Sequence, residues 1–211
     1  MKWSTILAFT NDALTVLGGY FIYTYTYAFV GYLDHETEVI FRGLWKDLSE
    51  QNISHYGVET KWKRPHITIA NYGALDKNKF IQLADGFYED KEKVDLTLNS
   101  IGTFIGTGTL FFAPTLSTEL LDFHSSHHDY FRTFNENETS FYLPSKWSPH
   151  CTIASRLDED KMVQAFSYCK KNIDRIHGTL CEIALVELKL NNDGVAIEDT
   201  VIFSKELKAT F

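Results

Sequence analysis

One hexapeptide occurs twice in this chain, as Pro65-His66-Ile67-Thr68-Ile69-Ala70 and Pro149-His150-Cys151-Thr152-Ile153-Ala154. The copies are identical at five of six positions and lie 84 residues apart. The bare tripeptide His-x-Thr is weak evidence. With 8 His and 20 Thr in 211 residues it is expected about once by chance, and it recurs at His35-Glu36-Thr37 and His177-Gly178-Thr179. The matching Pro, Ile and Ala around the other two copies have a chance probability on the order of one in ten thousand. That is an internal repeat, and it predicts two related halves. The shorter copies read as decoys: His35 sits at a helix start, and Gly178 interrupts a strand entrance.

The rest of the chain fits this frame. Aromatics occupy every second position from Phe21 to Phe29, which reads as a strand. Asp34, Glu36 and Glu38 then open a helix to about Gln51, burying Val39, Ile40, Leu44 and Leu48. Further helices are expected over Asp76–Glu92 (apolar stripe Phe80, Ile81, Leu83, Ala84, Phe87), Pro114–Phe134 (capped by Thr115 or Ser117) and Asp158–Lys171. Strands are expected at His66–Ala70, Val94–Leu98, Gly108–Ala113 and Pro149–Ala154, with Phe141–Trp147 extended or in a loop. Cys181–Leu190 and Val195–Phe203 form a hairpin around Asn191-Asn192-Asp193-Gly194. The pattern is α+β: two pseudo-two-fold-related lobes, with antiparallel-rich sheets and flanking helices around a central groove.

Residues i and i+2 of a strand point to the same side. His66 and Thr68 therefore share one face, as do His150 and Thr152, while Ile67, Ile69, Cys151 and Ile153 face an apolar layer. With the two strands side by side, two imidazoles and two hydroxyls line one cleft. One histidine can take a proton from an attacking oxygen and the other give one to a leaving oxygen. The threonine hydroxyls can hold non-bridging phosphate oxygens. Cys151 is excluded as a nucleophile for His150, because adjacent strand residues face opposite sides.

Paired His-x-Thr strands of this kind resemble the two-histidine (2H) phosphoesterase superfamily, and within it the bacterial 2′-5′ RNA ligase and RNA 2′,3′-cyclic phosphodiesterase branch. The resemblance runs from about Tyr27 to Phe203. It includes Tyr27-Ala-Phe-Val-Gly-Tyr-Leu-Asp34 as first strand, and Leu110-Phe-Phe-Ala-Pro114 leading into Leu120-Leu-Asp-Phe-His124. It implies a bilobal α+β fold, no metal or other cofactor, His66 and His150 as the acid/base pair, and Thr68 and Thr152 as phosphate holders. Two positions depart from the family pattern. Asn71 stands where an aromatic commonly follows the first motif, with Tyr72 next, and Ser155 stands where an arginine follows the second, with Arg156 next.

Around the motifs, Lys63, Arg64 and Trp62 before the first, and Lys146 and Trp147 before the second, are candidate substrate contacts: cations for phosphate, indoles for a base. Tyr72 and Arg156 are candidates at the strand ends. His124, His127 and His128 have metal-ligand spacing, but a helix face of solvent-exposed imidazoles is the favoured reading.

With 20 Lys+Arg against 28 Asp+Glu, a net charge of −8 argues against coating long duplex DNA, whose affinity comes mostly from phosphate neutralisation. The expected partner is a nucleotide or short RNA; the oligomeric state is left open. Three cysteines without a CxxC pair read as a reducing, cytoplasmic protein. Ala13–Leu33 is 21 residues without a charge, but its five tyrosines and period-2 pattern favour a strand over a membrane span. Residues 1–22 read as an extension of unknown role and 23–211 as a single domain. The expected function is metal-independent hydrolysis of a 2′,3′-cyclic phosphate or a 2′-5′ linkage. The alternatives are a non-catalytic nucleotide or RNA-end binding module, a phosphodiesterase of a cyclic oligonucleotide messenger, and a membrane-tethered partner of a complex.

Overall fold

The alternating Tyr/Thr run does enter a strand. A computed structural model describes residues 24–59, 63–135, 139–192 and 196–209, and its first strand, β1, is Thr24–Leu33. The extension 1–22, Trp62 and part of the last hairpin turn lie outside the described residues. The order continues α1 (His35–Glu50), β2 (His66–Tyr72), α2 (Lys77–Phe87), β3 (Val94–Thr103), β4 (Leu110–Pro114), α3 (Thr118–Tyr130), β5 (Cys151–Ala154), α4 (Glu159–Asn172), β6 (Ile176–Leu190) and β7 (Ala196–Glu206).

Each helix starts where a short polar side chain can accept an orphan amide: Asp34 from Thr37, Asp76 from Lys79, Ser117 from Leu120 and Asp158 from Lys161. Asp34 does more than cap. Its second carboxylate oxygen accepts from the backbone N–H of Thr179 at 2.5 Å, joining α1 to β6. Asp34→Ala is therefore expected to cost about 1–2 kcal/mol, read as a lower urea midpoint at unchanged m-value.

The phase of α1 differs from the sequence expectation. Val39 and Ile40 are 53% and 39% exposed, while Phe41, Leu44, Trp45 and Leu48 are buried. Turning the helix to its aromatic side removes more apolar area from water than burying two aliphatic side chains would. α3 is also shorter than expected, because Pro114 ends β4 and Ser117 supplies the cap.

The seven strands form one sheet in the order β1-β2-β5-β4-β3-β6-β7, and every strand pairing in it is antiparallel. β1 also pairs with β6, so six strands close into a hydrogen-bonded circuit. β6 manages this by its length of 15 residues: β3 takes Ile176–Leu180, and β1 and β7 take the remainder. Among the helices, α1 lies against β5 and β6, α3 against β2 and β3, and α4 against β4. The fold is α+β, as the pattern predicts.

The two halves meet at β2 and β5, where Ile67 pairs with Cys151. These are the residues that follow His66 and His150, so equivalent positions of the repeat oppose each other. That is the register a local two-fold requires. Continued by one residue, it sets His66 across from Thr152 and Thr68 across from His150, all on one face.

Candidate active site

Burial along β2 and β5 follows the alternation. Ile67, Ile69, Cys151 and Ile153 are fully buried, while His66, Thr68, His150 and Thr152 are part-exposed. Burial also pushes the Cys151 thiol far above its ordinary range, which suits an inert packing residue.

Both imidazoles are held the same way. His66 Nδ1 lies 2.8 Å from the carbonyl of Arg64, and His150 Nδ1 lies 2.7 Å from the carbonyl of Ser148. A carbonyl only accepts, so Nδ1 carries the proton in each ring. Nε2 is then the basic nitrogen of the neutral form and the acidic N–H of the cation. Tyr32, the cross-strand neighbour of His66, approaches it edge-on at 6.4 Å. Phe104 and Phe111 flank His150 at 4.8 and 5.1 Å.

Burial lowers the pKa of both histidines. For His66 the Arg64 carbonyl and Asp199 oppose the shift, while the nearby charges of His150 and Lys63 push the same way as burial. For His150 burial is the one lowering cause, opposed by the Ser148 carbonyl.

The candidate cations divide sharply. Lys63 and Arg156 converge on one carboxylate, Glu59, and Asp199 adds a second negative charge near Lys63. Arg156 reaches it from a left-handed backbone conformation, φ 57°, uncommon for a side-chain-bearing residue. Arg64 is placed differently. It bridges Glu38 at 2.7 Å and Glu182 at 2.8 Å and lies 3.8 Å over the Tyr32 ring. Two carboxylates outweigh its charge, so it ties α1, β2 and β6 together rather than offering a free cation. Lys146 is exposed before the second motif.

Tyr72 and Trp147 correct the sequence expectation. The β1–β2 register shifts between Phe29–Ala70 and Val30–Thr68, and this irregularity reverses the alternation. Tyr72 is consequently buried, its hydroxyl 2.8 Å from His127, and Asn71 takes the more exposed side, accepting from Ser140 Oγ at 2.7 Å. Trp147 donates its indole N–H to the Thr68 carbonyl at 2.9 Å and stacks on His124 at 3.7 Å. It holds the motif strand from behind.

The imidazoles of α3 are likewise not a solvent face. His124, His127 and His128 are 1%, 0% and 5% exposed. His124 and His128 each donate Nε2–H to the Ile69 carbonyl at 3.1 Å, and His127 lies between the Tyr72 and Tyr88 hydroxyls at 2.8 and 2.9 Å. Their nitrogens are taken up in bracing β2. Among the described residues no group of three or more His, Cys, Asp or Glu is arranged to hold a metal ion. The decoy copies also meet each other, but Thr37 and Thr179 donate their hydroxyls to Asp34 and Asp95, an environment that repels phosphate.

Sequence reading missed Phe104, Phe111, Tyr32 and Glu59. None carries a local signal; each is brought to the motifs by cross-strand pairing or a loop.

A sheet closed around two opposed His-x-Thr strands defines a protein of the two-histidine phosphoesterase kind. The chain belongs to the 2′-5′ RNA ligase superfamily, whose family model matches residues 42–192. No curated protein matches the sequence. Solved structures share the fold at low identity. E. coli LigT in its apo form is 15% identical with a TM-score of 0.56, covering 88% of this chain and 99% of its own. TT0787 of Thermus thermophilus is 14% identical with a TM-score of 0.55, covering 88% and 100%. A further crystal structure, of a phosphoesterase, is 14% identical with a TM-score of 0.57, covering 87% and 98%. Membership supports phosphodiesterase-type activity. Among the described residues, no helix is long and apolar enough to cross a membrane.

Proposed function

We propose that this protein hydrolyses a 2′,3′-cyclic phosphate or a 2′-5′ phosphodiester in a nucleotide or short RNA, without a metal. The observation that carries the reading is the matched pair of imidazoles, each with Nδ1 fixed on the carbonyl two residues before it and Nε2 left for substrate. We assign the base to His66, where the charges of His150 and Lys63 add to burial in favouring the neutral form, against the Arg64 carbonyl and Asp199. Its Nε2 takes the proton from water as the water oxygen bonds to phosphorus. The bond from phosphorus to a ribose oxygen breaks, and His150 Nε2–H protonates that oxygen. Thr68 and Thr152 hydrogen-bond the non-bridging oxygens, and Lys63 with Arg156 supplies the positive field. Support for a nucleotide ligand comes from the similarly folded E. coli LigT, which has been crystallised with 3′-AMP and with phosphate.

The test is incubation with a 2′,3′-cyclic mononucleotide in EDTA, with products resolved as 2′- or 3′-monophosphate. Turnover that survives the chelator supports the proposal; turnover restored only by added divalent metal overturns its mechanism. The pH dependence follows from the pKa directions. One histidine must be neutral and the other charged, and both are held below the ordinary 6.5. The kcat/KM profile is therefore expected to be a bell centred on the acid side of that value. A maximum well above it contradicts the assigned pair.

A further inference from the structure

The segment that leads into the first motif is stapled at three points before its strand begins. The β1–β2 ladder ends at the Tyr32–His66 pair, so residues 63–65 lie beyond its last rung. Side chains hold them instead. Arg42 of α1 donates to the Lys63 carbonyl at 3.3 Å and to Glu38 at 3.2 Å. Arg64 donates Nε–H to Glu38 at 2.8 Å and Nη1–H to Glu182 of β6 at 2.8 Å. The Glu38 and Glu182 side chains are only 10% and 19% exposed, so these are not the weak pairs of a free surface.

The residue clamped in this way is also the one that holds His66. Its backbone carbonyl lies 2.8 Å from His66 Nδ1. That carbonyl belongs to the Arg64–Pro65 peptide, which has no N–H through which a partner could anchor it. Proline fixes φ on one side of the peptide, and the torsions of Arg64 set the carbonyl's direction from the other. The guanidinium also lies 3.8 Å over Tyr32, the ring that meets His66 edge-on. The second motif is built differently. Ser148 offers the equivalent carbonyl to His150, but it is exposed and too short to span two elements. There the preceding Trp147 is the anchored side chain.

We propose that Arg64 is a positioning residue for His66: locked to Glu38 and Glu182, it fixes the carbonyl that holds Nδ1–H and so keeps Nε2 aimed at the substrate. The inference deepens the phosphodiester reading and rests on it for the reaction, but not for the orientation of the ring. A neutral imidazole has two tautomers, and only the one protonated at Nδ1 leaves the Nε2 lone pair free to take a proton. A carbonyl free to turn away would release both the tautomer and the ring.

The test is Arg64→Met, which keeps the apolar stem and removes the fork. Long-range ¹⁵N–¹H spectra at about pH 8, where both rings are neutral, report each tautomer directly. His66 should change from Nδ1–H alone to a mixture, with His150 unaltered. On the 2′,3′-cyclic mononucleotide, kcat should fall roughly ten- to hundredfold, the scale of a misplaced catalytic group, while KM stays within about twofold. An unaltered His66 tautomer overturns the proposal. So does a raised KM at unchanged kcat, which would make Arg64 a substrate contact. Should Arg64→Met fail to fold, Glu182→Ala cuts one anchor and carries the same reading, with the same change confined to His66 at smaller amplitude. If the wild type releases no product, the hydrolytic reading fails by itself and the tautomer comparison decides alone: a mixture at His66 sustains the positioning role, and an unaltered ring ends it.

Discussion

His66→Ala and His150→Ala each lower turnover of a 2′,3′-cyclic nucleotide by about 10²–10⁴-fold, the range expected when a positioned acid or base is removed. The double variant falls little further, because two groups acting on one proton-transfer sequence do not contribute independently. The pH profiles separate the roles. His66→Ala loses the acid limb, which reports the base becoming protonated, and His150→Ala loses the basic limb, which reports the acid losing its proton. Folding is spared: both rings are part-exposed, and each bonds only a backbone carbonyl on its own chain segment. An unchanged thermal midpoint with lost activity is the expected pairing of results. Wild-type turnover in either single variant would remove the assignment.

The second large effect is on stability and concerns the three imidazoles behind the site. Burial lowers the pKa of His124, His127 and His128, with His124 brought down to about 4. An unfolded chain titrates near the ordinary 6.5. Below that value the unfolded state takes up protons that the native state refuses, so stability is complete above it and declines as pH falls toward about 4. For His124 alone the gap corresponds to roughly 3 kcal/mol once pH has passed below both values. The urea midpoint should therefore drop steeply between about pH 7.5 and pH 5, and His124→Gln should make that drop shallower. A wild-type midpoint that stays level across this interval contradicts the account. The consequence reaches the site, because the Ile69 carbonyl, braced by His124 and His128, lies one residue beyond Thr68.

The duplicated hexapeptide was legible because its information is local. Alternation along a strand puts His66 with Thr68 and His150 with Thr152 whatever surrounds them, and the apolar residues between them must be buried. Helix starts were legible for the same reason: Asp34, Asp76, Ser117 and Asp158 satisfy amides only three residues away. The phase of α1 was not, since Val39–Ile40 and Phe41–Trp45 offer two apolar faces and the partner surface selects between them. Tyr72 was misjudged because one irregularity in the β1–β2 ladder reverses every later side chain, and no residue there announces it. His124 and its neighbours look like a polar face in sequence. They are buried because Ile69, Tyr72 and Tyr88 supply the partners their nitrogens need.

Sequence alone therefore determined the chemical groups, the face of the strand each motif occupies and the family they define. Those depend on covalent spacing of two or three residues. Tertiary structure decided which carboxylates the candidate cations meet and which side of the sheet Tyr72 and the α3 imidazoles occupy. Each of those rests on contacts between residues far apart in the chain: Arg64 with Glu182, Arg156 with Glu59, and His127 with Tyr72.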